Sequence, residues 1–151
     1  GVSKKEAKEF IARYCEKYPG VQRFMDEAVE NGQSKGFAET LMGRRRYLPE
    51  LAAGNRVMRE FGKRAAMNTP IQGTAADIIK LAMVRVDEAL RREKLQATLI
   101  LQVHDELLIE CPPEEADRAS ELLQACMEQV CTLSVPLKAE VHRGQDWYET
   151  K

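Results

Sequence analysis

Residues 97–111 read Ala97-Thr98-Leu99-Ile100-Leu101-Gln102-Val103-His104-Asp105-Glu106-Leu107-Leu108-Ile109-Glu110-Cys111, and Pro112-Pro113 stops the run. Two apolar, strand-like segments flank the tetrad Val103-His104-Asp105-Glu106. The pattern predicts a β-hairpin whose tight turn carries a histidine and two adjacent carboxylates. Strands this apolar belong inside a domain, so the acids are expected to stand on a rigid, buried support. Two acids at one edge usually mean a solvated turn. On a tip held by a buried sheet they can instead give oxygen ligands to a divalent metal.

The rest of the chain places helices around this hairpin. Ser3-Lys4-Lys5-Glu6 is a capping box, and a helix follows to roughly Lys17 with Ala7, Phe10, Ile11 and Tyr14 on one face. A second helix starts near Pro19 and runs to about Asn31-Gly32, with Val21, Phe24, Met25 and Ala28 spaced for burial. Residues 36–49 read as a short hairpin bent at Gly43 and ended by Pro49. A third helix is expected from Arg56 to Asn68. The longest one starts at Thr69 or Pro70, runs to about Glu93, and carries Ile71, Ala75, Ile78, Ala82, Val86 and Ala89 as its apolar stripe. Pro113-Glu114-Glu115 opens a further helix to about Thr132, and residues 135–141 read as a last strand. Helices alternate with hairpins rather than with single parallel strands. The expected class is α+β, an antiparallel sheet with a central hairpin packed against several helices.

Composition narrows the classes. With 151 residues, 44% hydrophobic and 31% charged, the chain is long enough for one soluble domain with a real core. No apolar run approaches the ~20 residues of a membrane span. The start Gly1-Val2-Ser3 has no signal-peptide core and no initiator Met, which leaves a fragment, a processed product or a tagged form open. Cys15, Cys111, Cys126 and Cys131 have no C-x-x-C spacing and only two histidines accompany them, so reduced thiols in a cytoplasmic protein are expected rather than zinc. Net charge is −1, but its distribution is uneven. Arg44, Arg45, Arg46, Arg56, Arg59, Lys63 and Arg64 face only Glu50 and Glu60 between positions 44 and 64, whereas eleven acids oppose four bases from Asp105 to Lys151. A basic block followed by acidic chemistry fits a nucleic-acid enzyme, and it fits a solvated helix face as well.

Arg64, Asn68 and Gln72 form a second constellation. Spaced four apart, they would line one face of a continuous helix, with Pro70 as a possible bend. Their side chains can hydrogen-bond phosphate, sugar and minor-groove acceptors. The small residues Gly73 and Thr74 beside them permit close approach of another backbone.

The run from Asn68 to Lys80, Asn-Thr-Pro-Ile-Gln-Gly-Thr-Ala-Ala-Asp-Ile-Ile-Lys, resembles a signature of family A DNA polymerases, the bacterial DNA polymerase I group. Gln102-Val103-His104-Asp105-Glu106-Leu107 looks like that family's motif C. Gly43-Arg44-Arg45-Arg46-Tyr47-Leu48-Pro49, Tyr18-Pro19-Gly20-Val21, Val135-Pro136-Leu137 and Gly144-Gln145-Asp146-Trp147 also match, in family order along essentially the whole chain. The resemblance implies the C-terminal part of the fingers with its basic hairpin in residues 1–53, and the C-terminal part of a palm-type sheet domain in 54–151. It implies that Asp105 is a catalytic, metal-binding carboxylate and that Glu106 supports it. It places His104 at the primer terminus and Arg64, Asn68 and Gln72 on the DNA duplex, largely in the minor groove. Arg44 to Arg46 receive only backbone attraction or structural pairing.

The implied chemistry is template-directed nucleotidyl transfer with two Mg²⁺ ions roughly 4 Å apart. The partners would be primer–template DNA and deoxynucleoside triphosphates, bound together with polymerase segments that nothing here matches. Those are the second aspartate motif, the nucleotide-binding fingers helix, the thumb and the exonuclease-like region. The expectation is therefore a chain that does not polymerise alone. Two other readings stay open on the residues themselves: a non-catalytic nucleic-acid-binding module, and a structural α+β domain with solvated charges.

Overall fold

A computed structural model of the chain describes residues 2–150. Five α-helices and two separate two-stranded antiparallel sheets form among them. The helices are α1 (Lys4–Lys17), α2 (Pro19–Lys35), α3 (Arg56–Asn68), α4 (Thr74–Arg92) and α5 (Ala116–Glu128). The strands are β1 (Phe37–Glu39) with β2 (Arg45–Tyr47), and β3 (Thr98–Val103) with β4 (Glu106–Glu110). This is the α+β class with antiparallel hairpins. The chain divides into two compact units, Gly1–Thr74 and Ala75–Lys151.

In the first unit, Ser3 and Glu6 close the capping box: Glu6 accepts from the Ser3 N–H at 2.8 Å, and the Ser3 hydroxyl accepts from the Glu6 N–H at 3.3 Å. These bonds hold the Glu6 carboxyl below its ordinary value. α2 runs past Gly32 and stops at Gly36, whose φ of 77° lets the last turn close with a bond to the Gly32 carbonyl. Gly32 is not a stop signal because it is a packing position. A Cβ there would lie 3.0 Å from Leu51 and 3.3 Å from Ala66. The small core joins Ala38, Leu48, Leu51, Ala65 and Ala66, with Val29 against it. The burial expected of Val21 and Phe24 does not occur, and Phe10, Ile11 and Tyr14 on α1 are exposed as well. α1 presents no buried residue at all, since α2 is its only described neighbour of note and has a small contact face.

Pro70 does not break the helical path. It lacks an N–H and its ring crowds the carbonyl four residues back. The backbone answers with one π turn, Thr69–Gly73, between α3 and α4. Ile71 and Ala75, expected in the apolar stripe, are exposed, Ile71 by 62%.

In the second unit, α4 lays Ala82, Val86, Ala89 and Leu90 against Ala97, Leu107, Ala119, Leu122 and Val130. Val86 is 0% exposed, and burying a side chain of that size contributes about 1.5–3 kcal/mol. The Glu115 carboxylate accepts from the N–H groups of Gln96 at 3.0 Å and Ala97 at 2.9 Å, tying the base of β3 to the start of α5. Arg118 forks onto Glu93 with two bonds of 2.6 Å.

Two expectations fail here. No strand forms over residues 135–141; among the described residues the last regular element is α5. The Ala139 N–H goes instead to a Glu128 side-chain oxygen at 3.1 Å, and Arg143 fastens the following residues to Asp117 and Ser120. Second, the β3–β4 hairpin is not buried. One face covers the core, while Ile100 is 55% exposed and Leu101 is exposed too. A two-stranded sheet has one helix-covered face in this unit, and the other stays open.

Candidate nucleic-acid interface and acidic hairpin

Within the first unit, α3 and the π turn place Arg64, Asn68 and Gln72 on one exposed face, opposite the buried Gly62, Ala65, Ala66 and Thr69. Among the described residues their polar ends make no hydrogen bond. Val57, Phe61 and Ile71 are exposed along the same helical path. The predicted alignment of the three therefore holds across Pro70.

The basic block resolves into structural and open cations. The Arg44 guanidinium donates to the Gly73 carbonyl at 2.8 Å. Arg45 pairs with Glu39 at 2.8 Å and lies 4.5 Å over the Phe37 ring; the carboxylate raises the guanidinium further above its ordinary value. Arg59 donates to the Ala53 and Gly54 carbonyls at 2.8 and 2.7 Å. Lys63 pairs with Glu60 at 2.9 Å, and its ammonium holds the Glu60 carboxyl below its usual range. The Arg46, Arg56 and Arg64 side chains make no salt bridge or hydrogen bond among the described residues, although Arg56 and Arg64 add to the pull on the Glu60 carboxyl.

Within the second unit, Val103 pairs with Glu106, and His104-Asp105 form the two-residue loop. His104 has φ 55°, in the left-handed region that costs a non-glycine residue roughly 1–2 kcal/mol. Gln102 Nε2 donates to the His104 carbonyl at 2.6 Å and helps hold that conformation. A register shift between Leu99 and Leu101 makes Ile100 a bulge. Directly paired residues share a face. Leu99 pairs with Ile109 and Gln102 with Leu107, which is buried to 8% exposure, so these mark the core side. Leu101–Leu108 and Val103–Glu106 mark the open side. Without the bulge, strict alternation from Leu99 would turn Leu101 and Val103 inward. The bulge thus aims the distal half of the hairpin, Glu106 included. Sequence alternation alone could not show it, because every residue from Leu99 to Leu101 is apolar.

His104, Asp105 and Glu106 are all exposed, and their side chains make no hydrogen bond among the described residues. Two adjacent carboxylates with free oxygens suit a hard divalent cation that keeps part of its water shell. Among the described residues no group of three or more His, Cys, Asp or Glu stands together to hold a metal ion. Asp105 and Glu106 alone fall short of such a group. Cys15, Cys111, Cys126 and Cys131 are free, and no helix among the described residues is long and apolar enough to cross a membrane.

The sequence missed two contributors to the π turn. Thr40 and Thr74 are buried threonines whose hydroxyls bond backbone groups around it. Only the small-residue run Gly73-Thr74 hinted at such an approach.

The DNA polymerase family A model matches residues 1–149. DNA polymerase I of Bacillus caldotenax is 53% identical over 150 residues, and that of Bacillus subtilis (strain 168) is 48% identical over 151. These matches cover 99% and 100% of the chain, which spans 17% of the length of each relative. Among solved structures, the POL domain of Pol1 from M. smegmatis, in complex with DNA primer-template and dNTP, matches with a TM-score of 0.95 and 42% identity. That match covers 99% of this chain and 26% of the other. Together with the motifs carried on α3, the π turn and the β3–β4 hairpin, this places the chain in DNA polymerase family A.

Proposed function

We propose that this chain supplies the duplex grip and part of the metal-binding set of a template-directed DNA polymerase. The observation that carries the reading is the hairpin tip, where a family A chain presents Asp105 and Glu106 consecutively, exposed and without side-chain partners among the described residues. Residues 1–53 are the C-terminal part of the fingers and 54–151 that of the palm, in a cytoplasmic enzyme. Two Mg²⁺ ions, when bound, make the primer 3′-hydroxyl a better nucleophile and offset charge on the transferred phosphate. Asp105 gives a carboxylate ligand. Glu106 adds a second oxygen donor beside it. His104, fixed by its left-handed backbone and by Gln102, touches the primer terminus.

Arg64, Asn68 and Gln72 donate to minor-groove acceptors of the primer–template duplex. Those acceptors are alike at A·T and T·A, so the grip tests pair geometry without reading sequence. Arg46, Arg56 and Arg64 supply the open positive charge. The incoming deoxynucleoside triphosphate and the remaining metal ligands belong to polymerase segments outside these residues, so the isolated chain does not extend a primer.

The test is complementation. The chain is mixed with the part of the Bacillus caldotenax enzyme outside the matched residues, and Mg²⁺-dependent primer extension is measured. Synthesis is expected from the mixture, lost with Asp105→Ala. Extension by the 151-residue chain alone, or full activity of the Asp105→Ala mixture, would overturn the assignment.

A further inference from the structure

Gln72 sits where the helical backbone is least regular, between Pro70, which has no N–H to give, and Gly73, which has no side chain to pack. A π turn is a rare, single-turn departure from the α ladder. A side chain that must meet a base-pair edge needs its backbone held by something else. The β1–β2 hairpin supplies the hold. The Arg44 guanidinium donates to the Gly73 carbonyl at 2.8 Å, one residue after Gln72. The Thr74 hydroxyl donates to the Pro70 carbonyl, two residues before Gln72, and accepts the Leu41 N–H at 3.0 Å. The Thr40 methyl fills the space in front of Gly73, 2.6 Å from where a Cβ would lie. Thr40 in turn fixes the hairpin bend, accepting the Met42 N–H at 3.3 Å and the Arg44 N–H at 3.1 Å.

We propose that Arg44 and Thr74 are positioning residues for Gln72, so that part of the basic hairpin acts as a clamp on the duplex-gripping turn rather than as a phosphate contact. The proposal rests on Gln72 meeting duplex DNA. It deepens that reading by naming what sets the geometry of the contact. The Arg44 guanidinium is engaged by a backbone carbonyl of the turn, and Thr74 has no charge to offer a phosphate. Both act on DNA only through the turn.

The experiment measures binding of a fluorescein-labelled duplex to the full chain by anisotropy over a range of salt. Gln72→Ala is expected to weaken binding by about two- to tenfold, the worth of one net hydrogen bond. Thr74→Val is expected to weaken it by a similar factor with an unchanged salt slope, since no cation is removed. Thr74→Ser should restore it. The Thr74→Val/Gln72→Ala pair should bind no worse than the weaker single variant, because the two act through one contact. Thr74→Val binding like the parent while Gln72→Ala weakens, or simple multiplication of the two losses, overturns the clamp and leaves the Gln72 contact standing. Gln72→Ala binding like the parent overturns both. Amide exchange separates local loosening of residues 69–74 from global unfolding. If Thr74→Val unfolds the unit, Arg44→Ala is the second variant, with non-additivity toward Gln72→Ala again the expected result and additivity the refuting one.

Discussion

Gly73→Ala isolates a single steric contact. The added Cβ would lie 2.6 Å from the Thr40 methyl carbon, whereas its other neighbours, Arg44 Nη2 at 3.6 Å and Thr69 Cγ2 at 3.8 Å, are at ordinary van der Waals distance. Closing a carbon–carbon gap by about 1 Å below contact forces the hairpin or the turn to move, at a cost of about 1–3 kcal/mol. Against this, alanine in place of a helical glycine stabilises by up to about 1 kcal/mol. The net expectation in the parent chain is a loss of roughly 1–2 kcal/mol. Thr40→Ser removes the clashing methyl and keeps the hydroxyl that accepts the Met42 and Arg44 N–H groups. Alone it costs about 0.8 kcal/mol for one buried methyl. In the Thr40→Ser background, Gly73→Ala should turn neutral or stabilising by up to about 1 kcal/mol. The assay is urea unfolding followed by far-UV circular dichroism, with amide exchange over residues 36–48 and 69–74. The only tryptophan, Trp147, lies in the other unit, so its fluorescence serves as the control signal. A Gly73→Ala penalty of equal size in both backgrounds would refute the steric account. It would point to the backbone of the π turn itself.

His104→Gly should stabilise the β3–β4 hairpin by up to about 1 kcal/mol, because the left-handed φ of 55° no longer opposes a Cβ. The same change should slow primer extension in the complemented polymerase; hairpin amide exchange and extension rate read the two effects, and a destabilised hairpin contradicts the strain argument. A third expectation concerns pH in the second unit. The bidentate hydrogen bonds from Arg118 hold the Glu93 carboxyl below its ordinary 4.5, and the Ala139 N–H does the same for Glu128. A depressed carboxyl contributes stability that is present above its unfolded value and is lost as pH falls through the folded value. Stability of this unit, read by Trp147 fluorescence, should therefore decline below about pH 4.5. Glu93→Gln should be less stable than the parent at neutral pH, with the difference shrinking as pH falls. A constant offset at every pH rules this linkage out.

Much of this molecule was legible from local chemistry. The Ser3–Glu6 capping box, the bend at Gly43 and the turn at His104-Asp105 each lie in a few consecutive residues, and each forms as read. The spacing of Arg64, Asn68 and Gln72 survived Pro70 because a π turn keeps the helical path while relieving the proline clash. What stayed illegible is tertiary. Gly32 carries the mark of a helix stop, yet Leu48, Leu51 and Ala66 press on it from elsewhere in the chain. Residues 135–141 alternate like a strand, but the Glu128 carboxylate takes one of their N–H groups first. Apolar spacing placed Phe10, Ile11 and Tyr14 on one face of α1, and periodicity says which residues share a face without saying whether anything covers it. The bulge at Ile100 left no trace in a run where every side chain is apolar.

The hairpin tip shows how its acids are aimed without being built into the core. Three local devices set it: the bulge at Ile100, the bond from Gln102 to the His104 carbonyl, and the left-handed backbone at His104. None of them uses the Asp105 or Glu106 side chain. A buried carboxylate network would tie chemistry to stability, and its removal would cost several kcal/mol. Here Asp105 and Glu106 are exposed and have no partners among the described residues, so replacing Asp105 with alanine should change stability by no more than about 0.5 kcal/mol. The proposed chemistry and the folding are thereby separable at this tip. A loss of synthesis in Asp105→Ala would report on the reacting centre itself, because the strand pair, the turn and the core beneath Leu107 have no reason to notice the change.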